Sequence, residues 1–251
     1  MTTVKNIDSF MSAFAPRELS ESWDNDGVML CKDTEKTVKC ALICLEVHLT
    51  AIEKAVEIGA DLIITHHPFI FKPLKSLSGE AFSEIELLVK HGISVLSYHT
   101  RLDKADGGVN SVLAETLGLS NVAKKGEFLY SGELCCAMSG EEFATYIKEK
   151  LGCESIKAYF EKGAKIKTVA LCGGAGKDFL FEAAECADAF VSADFSHNTF
   201  IDAKNLGIAV FDAGHYHTEN SVIYKLKSLL EAEFTDVSFE CFDVGCPFFT
   251  L

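Results

Sequence analysis

From residue 38 onward the chain keeps switching between two hydrophobic periods, and that alternation restricts it to an α/β fold. Short apolar runs read as strands: VKCALICLE (38–46), DLIITHH (61–67), ISVLSYH (93–99), TVALC (168–172), DAFVSAD (188–194), IAVFDAG (208–214) and VSFECFDV (237–244). Between them, 50–58, 80–91, 178–187, 197–206 and 215–233 carry helical spacing. Strands separated by helices imply parallel or mixed sheets with helices on their faces. An N-terminal helix that aligns Ile7, Phe10, Met11 and Phe14 precedes this pattern and stops before Pro16.

The pattern runs twice. EIGADLIITHH (57–67) aligns with AECADAFVSAD (184–194), and HGISVLSYHT (91–100) with LGIAVFDAGH (206–215). We therefore expect two similar, intimately packed α/β lobes, at 1–124 and 168–251, joined by a strand-helix-strand segment at 125–167 too short to be an inserted domain. The ends of equivalent strands are expected to meet in one crevice, the place where α/β sheets put ligands.

Composition removes several function classes. A net charge of −14 argues against a nucleic-acid backbone or an anionic membrane as partner. No segment has the length of a membrane span or the layout of a secretion signal, so a cytoplasmic protein is expected. The ten cysteines are scattered, form no C-x-x-C pair and fall partly in strand-like runs, as reduced thiols do.

Six of the eight histidines gather at four strand ends: His66 and His67; His99, with Asp103; His197, with Asp194; and His215 and His217, with Glu219. Imidazole and carboxylate without thiolate suit zinc, iron or manganese. Adjacent residues of an extended strand point to opposite sides, so His66 and His67 are expected to serve different ions unless the backbone turns. Glu219 has two oxygens with which to bridge a pair, His215 completing one ion and Asp103 the other.

WDNDG (23–27), ITHHPFIFKPLKS (64–76), HTRLD (99–103), SADFSHN (192–198) and GHYHTE (214–219) together resemble, in order, the dinuclear-metal-centre proteins known as GTP cyclohydrolase I type 2 homologues. The resemblance implies His66, His67, Asp103, His215 and Glu219 as ligands of two divalent transition-metal ions per chain. It also implies a toroidal homohexamer and a small-molecule substrate, a nucleotide by the family name. Two departures lie outside the ligand set. Leu45-Glu46-Val47-His48 stands where many members have Leu-Asp-x-Thr, and Asp194-Phe195-Ser196-His197-Asn198 where many have Glu-x-Ser-His-His.

A dinuclear hydrolase is the first functional expectation. Paired cations lower the pKa of a shared water and polarise the atom it attacks, with His99, His197 or His217 moving protons. Purine ring opening with formate release is one such reaction, and phosphoester hydrolysis another. The alternative is a non-catalytic metal-binding scaffold or regulator. CGGAGKD (172–178) lacks the residues of a phosphate loop and reads as a tight strand-to-helix turn. Trp23, the single tryptophan, is expected as a buried loop anchor rather than a substrate-stacking residue. Lys72, Lys75, Arg101 and Lys104 are read as solvated charge or as a cationic patch for a phosphate.

Overall fold

The computed structural model describes residues 1–249. In chain order its elements are α1 (Val4–Phe14), β1 (Gly27–Leu30), β2 (Cys40–Cys44), α2 (Leu49–Glu57), β3 (Leu62–Thr65), α3 (Glu80–His91), β4 (Ser94–Ser97), α4 (Thr100–Lys104), α5 (Val109–Thr116), β5 (Ser120–Lys124) and β6 (Tyr130–Met138). They continue with α6 (Gly140–Leu151), β7 (Lys157–Tyr159), β8 (Ile166–Ala175), α7 (Leu180–Ala184), β9 (Ala189–Ala193), α8 (His197–Leu206), β10 (Ala209–Asp212), α9 (His215–Glu219), α10 (Val222–Glu233) and β11 (Ser238–Cys241). No helix of the described residues is long and apolar enough to cross a membrane.

Contacts divide the chain into two compact units. The first joins Met1–Asp106 to Ile223–Gly245, and the second is Gly107–Val222 with the residues from Cys246 on. The boundaries read from sequence, 124 and 167, fall elsewhere, for a reason of pairing. The C-terminal strand β11 lies parallel to β2, Phe239 opposite Ala41, which returns the chain to the first unit. Strand β5 pairs with β6 and so belongs to the second.

The first unit holds a five-stranded sheet in the order β1-β4-β3-β2-β11, with only β1 antiparallel. Every residue of β3 and β4 is buried, as expected of central parallel strands covered on both faces. Helices α2 and α3 cover one face through Ala51, Ile52, Ala55 and Leu88, which pack on Leu42, Cys44, Ile63 and Val95. Helix α1 starts at a capping box between Thr3 and Asn6 and buries Ile7 and Met11.

The second unit holds a six-stranded sheet, β5-β6-β8-β9-β10-β7, whose inner β8, β9 and β10 are parallel. Their side chains alternate between two cores with period two. Val169, Leu171, Ala189, Val191, Ala209 and Phe211 face α5 and α6, whereas Ala170, Cys172, Phe190 and Val210 face α7 and α8.

The repeat seen in sequence is a repeat of register. Ala41 pairs with Leu62 and Leu62 with Ser94 in one sheet, as Val169 pairs with Ala189 and Ala189 with Ala209 in the other. Before each middle strand stands an aspartate, Asp61 or Asp188. Asp61 donates its backbone N–H to Cys40 O at 2.8 Å and accepts from Lys39 N at 2.9 Å. Asp188 does the same with Thr168 O at 3.0 Å and Lys167 N at 2.9 Å. Gly92 and Gly207, both left-handed, end the helices that follow.

Two expected helices are shorter than the sequence pattern. Residues 215–233 form α9 and α10 rather than one helix, parted by a turn at Asn220 and Ser221. Residues 178–187 reduce to a 3₁₀ turn at Lys177–Phe179 and the short α7.

Candidate metal centre

In each unit the polar groups stand where the second and third parallel strands end. In the first unit, β3 closes at Thr65 and the chain bends through His66 and His67. That bend overturns the expectation of opposed side chains: the two imidazoles lie 5.0 Å apart, centroid to centroid, inclined by 40°. The strand β4 closes at Ser97, placing His99 just before α4, which carries Asp103. Ligand atoms of His66, His67 and His99 all lie within 4.8 Å of one another.

Hydrogen bonds fix how each imidazole is used. His66 is buried and its Nδ1 is 2.9 Å from the carbonyl of Tyr98. A carbonyl only accepts, so Nδ1 carries the proton, and in the neutral ring Nε2 carries the lone pair. That Nε2 lies 3.5 Å from Oδ1 of the buried Asp103. His67 Nδ1 faces Glu46 Oε2 at 3.3 Å, and His99 Nδ1 faces Asp24 Oδ1 at 2.8 Å. Asp24 also accepts from Thr100 N at 3.0 Å and from the Thr100 hydroxyl at 2.6 Å. Burial alone would raise the Asp24 pKa, but the hydrogen bonds from His99 and Thr100, with the charge of His99, outweigh it and bring it down to about 2.

In the second unit, β9 runs to Ala193, and Asp194 follows in the left-handed conformation (φ 57°). Its Oδ2 accepts from His215 Nδ1 at 2.7 Å. His215 Nε2 is then the lone-pair nitrogen, and it lies 3.1 Å from Oε2 of Glu219, one turn on. Glu219 is buried against the glycine-rich end of β8. A Cβ on Gly174, itself at φ +64°, would overlap the Glu219 carboxylate and come within 3.0 Å of His215 Nε2. A Cβ on Gly173 would meet Val109 at 2.7 Å. The backbone there is anchored by Gly173 N donating to Asn110 Oδ1 at 2.7 Å and Gly174 N to the Thr218 hydroxyl at 3.0 Å.

These pairings test whether the donors suit a cation. In each unit an imidazole Nε2 lies within 3.5 Å of a buried carboxylate oxygen; with the ring neutral two acceptors face each other, an arrangement relieved by a proton on the ring or by a bound cation. The donor set is imidazole and carboxylate, with each Nδ1 held by an outer acceptor, as in transition-metal sites. Among the described residues, His/Asp/Glu groups of this kind could hold a metal ion.

His197 is exposed on the first turn of α8, and the His217 ring lies 5.0 Å from that of Tyr216. Arg101 is fully buried, its Nε 3.1 Å from Asp26 Oδ2 and its guanidinium 4.5 Å over the ring of Tyr98. Lys104 Nζ lies 2.6 Å from Glu21 Oε1. Both cations are thus engaged by internal carboxylates, correcting their reading as solvated charge or a phosphate patch; Lys72 and Lys75 are exposed. Trp23 is 60% exposed, which overturns the buried anchor. Asp24, Glu46 and Gly174 were not singled out in sequence as parts of the site, although WDNDG, Leu45-Glu46-Val47-His48 and CGGAGKD marked the three places.

A repeated parallel register with imidazole and carboxylate groups at its strand ends defines an α/β protein whose side chains could hold a metal ion. The chain belongs to the Duf34/NIF3 (NGG1p interacting factor 3) family, whose model matches residues 2–245. It is 30% identical over 248 residues, 94% of each chain, to a Clostridium perfringens protein named GTP cyclohydrolase 1 type 2 homolog. A Methanocaldococcus jannaschii protein of the same name is 32% identical over 234 residues, 91% of this chain and 94% of its own. Among solved structures, the Staphylococcus aureus hypothetical protein SA1388 superposes with a TM-score of 0.92 at 28% identity, covering 99% of both chains.

Proposed function

We propose that the protein is a metal-dependent hydrolase acting on a nucleotide, with His66, His67, Asp103, His215 and Glu219 holding two divalent ions. The observation that carries this reading is the approach of an imidazole Nε2 to a buried carboxylate in each unit, His66 to Asp103 and His215 to Glu219. When bound, two such ions provide a nucleophile at neutral pH and polarise the atom it attacks. His99 holds or returns a proton at Nε2, because Asp24 fixes its Nδ1 as the protonated nitrogen. Asp194 and Glu46 orient His215 and His67 in the same way.

The nucleotide in this proposal comes from the relatives, which are named for GTP cyclohydrolase. Purine ring opening with formate release is the reaction that name describes; a phosphoester hydrolysis would use the same groups. A homohexamer is the assembly proposed with it, tested by light scattering.

The test is a turnover screen on purified protein loaded separately with zinc, iron and manganese, with formate and phosphate measured independently. Metal-dependent product that disappears on chelation and in Glu219→Gln supports the reading. No product above that variant, together with metal loss that lowers thermal stability, would show a metal-binding scaffold instead.

A further inference from the structure

We infer that Trp23 and Phe71 form a stacking corner for a planar heteroaromatic ring, the base of a nucleotide whose anionic tail reaches Lys72 and Lys75. This deepens the hydrolase reading and rests on it for the location of the chemistry. Trp23 is 60% and Phe71 44% exposed, although a large aromatic ring ordinarily gains by burial. Both lie against His99, a ring nitrogen of which is within 4.8 Å of ring nitrogens of His66 and His67. The Trp23–Phe71 centroids are 6.1 Å apart with planes at 81°; Trp23–His99 are at 6.3 Å and 75°, and Phe71–His99 at 6.0 Å and 86°.

Three rings at mutual near-right angles meet edge to face, so these three contacts engage at most one face each and leave other ring faces outside them, and a face is what a base stacks upon. The two loops that carry the corner are tied together, because the Asn25 side-chain amide donates to the carbonyl of Ile70. The corner is therefore set before a ligand arrives, lowering the ordering cost of binding. Lys72 and Lys75 follow Phe71 on the same exposed loop and provide positive charge in a chain of net charge −14. A base on the corner would have its polar edge beside His99 and the histidine donors. A purely aliphatic ligand would make no use of this arrangement.

The single tryptophan makes the inference directly measurable, since all indole fluorescence comes from Trp23. The full-length metal-loaded protein is titrated with GTP, guanosine and inorganic triphosphate, with emission corrected for ligand absorbance. GTP and guanosine should quench, GTP at lower concentration, and triphosphate should not. Phe71→Ala, a change at an exposed position that keeps the reporter, should weaken GTP binding by about fivefold or more, the usual loss for one base–aromatic contact. Trp23→Phe should retain most of the affinity measured by calorimetry, and Trp23→Ala should not.

Absence of quenching by both GTP and guanosine overturns the inference. So does indole emission that is shifted to the blue and shielded from a soluble quencher in ligand-free protein, which would mean that a second copy covers the corner. Turnover whose KM is unchanged in Trp23→Ala and Phe71→Ala also overturns it while leaving the hydrolase standing. Quenching that depends on Phe71 without turnover of any ligand supports the corner and removes the hydrolase.

Discussion

Asp24 accepts a hydrogen bond from Nδ1 of His99 at 2.8 Å, joining residues 75 apart in the chain. The same carboxylate receives the N–H and hydroxyl of Thr100, so a single buried group sets both the tautomer of His99 and the start of α4, which carries Asp103. One aspartate in a loop thereby aims two members of the site.

The Asp24 pKa lies at about 2 in the folded chain, against an ordinary 3.8. Its ionised form is therefore favoured by folding. The stabilisation is fully present above about pH 4 and is lost as pH falls through the folded value. A displacement of this size corresponds to about 2 kcal/mol. Urea unfolding of metal-free Asp24→Asn should show about that loss at pH 5, and the gap from the parent should narrow towards pH 2. A gap that stays constant over this range would assign the loss to packing rather than to ionisation.

Gly174→Ala should disturb the site far more than its size predicts. Gly59 and Gly174 both have positive φ, +66° and +64°, but a Cβ on Gly59 meets nothing within 4 Å, whereas on Gly174 it overlaps the Glu219 carboxylate. Gly59→Ala should therefore cost only the backbone strain, about 1 kcal/mol in thermal or urea unfolding. Gly174→Ala should in addition weaken metal binding by about tenfold or more, read by competition with a chelating dye. Equal metal affinity in the two variants would separate Glu219 from the metal.

The fold was legible because its physics is local. Short apolar runs marked the parallel strands and the 3.6 period the helices between them, and the Ala-Asp and Gly-Ile steps recurred because Asp61 and Asp188 fill one hydrogen-bonding role in two copies of a register. The candidate donors were legible because histidine is scarce and clustered. What sequence could not supply was direction. The bend that brings His66 beside His67 lies beyond the last residue of β3, and the alternation rule holds only within the strand. Asp24 and Glu46 act across long stretches of chain, and no spacing rule links them to His99 and His67. Trp23 looked like an anchor because tryptophan usually is one; its exposure is a tertiary fact.

Thiol reactivity should separate the ten cysteines sharply. Cys135 and Cys136 are exposed, with sulfurs 3.8 Å apart, because β6 departs from its regular register between Glu133 and Met138. Cys44 is buried, and desolvation pushes its pKa up to about 12. A thiol-reactive dye should label Cys135 and Cys136 first in the native protein, and Cys44 only on unfolding. Mass mapping that finds Cys44 labelled at the same rate would contradict its burial.

The metal stoichiometry and the proton-moving residue are tested by one set of variants. Five nitrogen and oxygen donors exceed the needs of one tetrahedral ion, so loaded protein should carry about two ions per chain. Glu219→Gln should lose more metal than His217→Ala, since Glu219 is buried beside a lone-pair imidazole nitrogen. His66→Ala should lose metal and turnover together. His99→Ala should lower turnover by about a hundredfold, the usual scale for a positioned acid or base, while metal content stays near that of the parent. Asp24→Asn should reproduce part of that loss by releasing the His99 tautomer. His197→Ala, at an exposed position, should alter neither quantity by more than about twofold. If His99→Ala instead empties the site in elemental analysis, His99 is a ligand, and the proton is carried by another group.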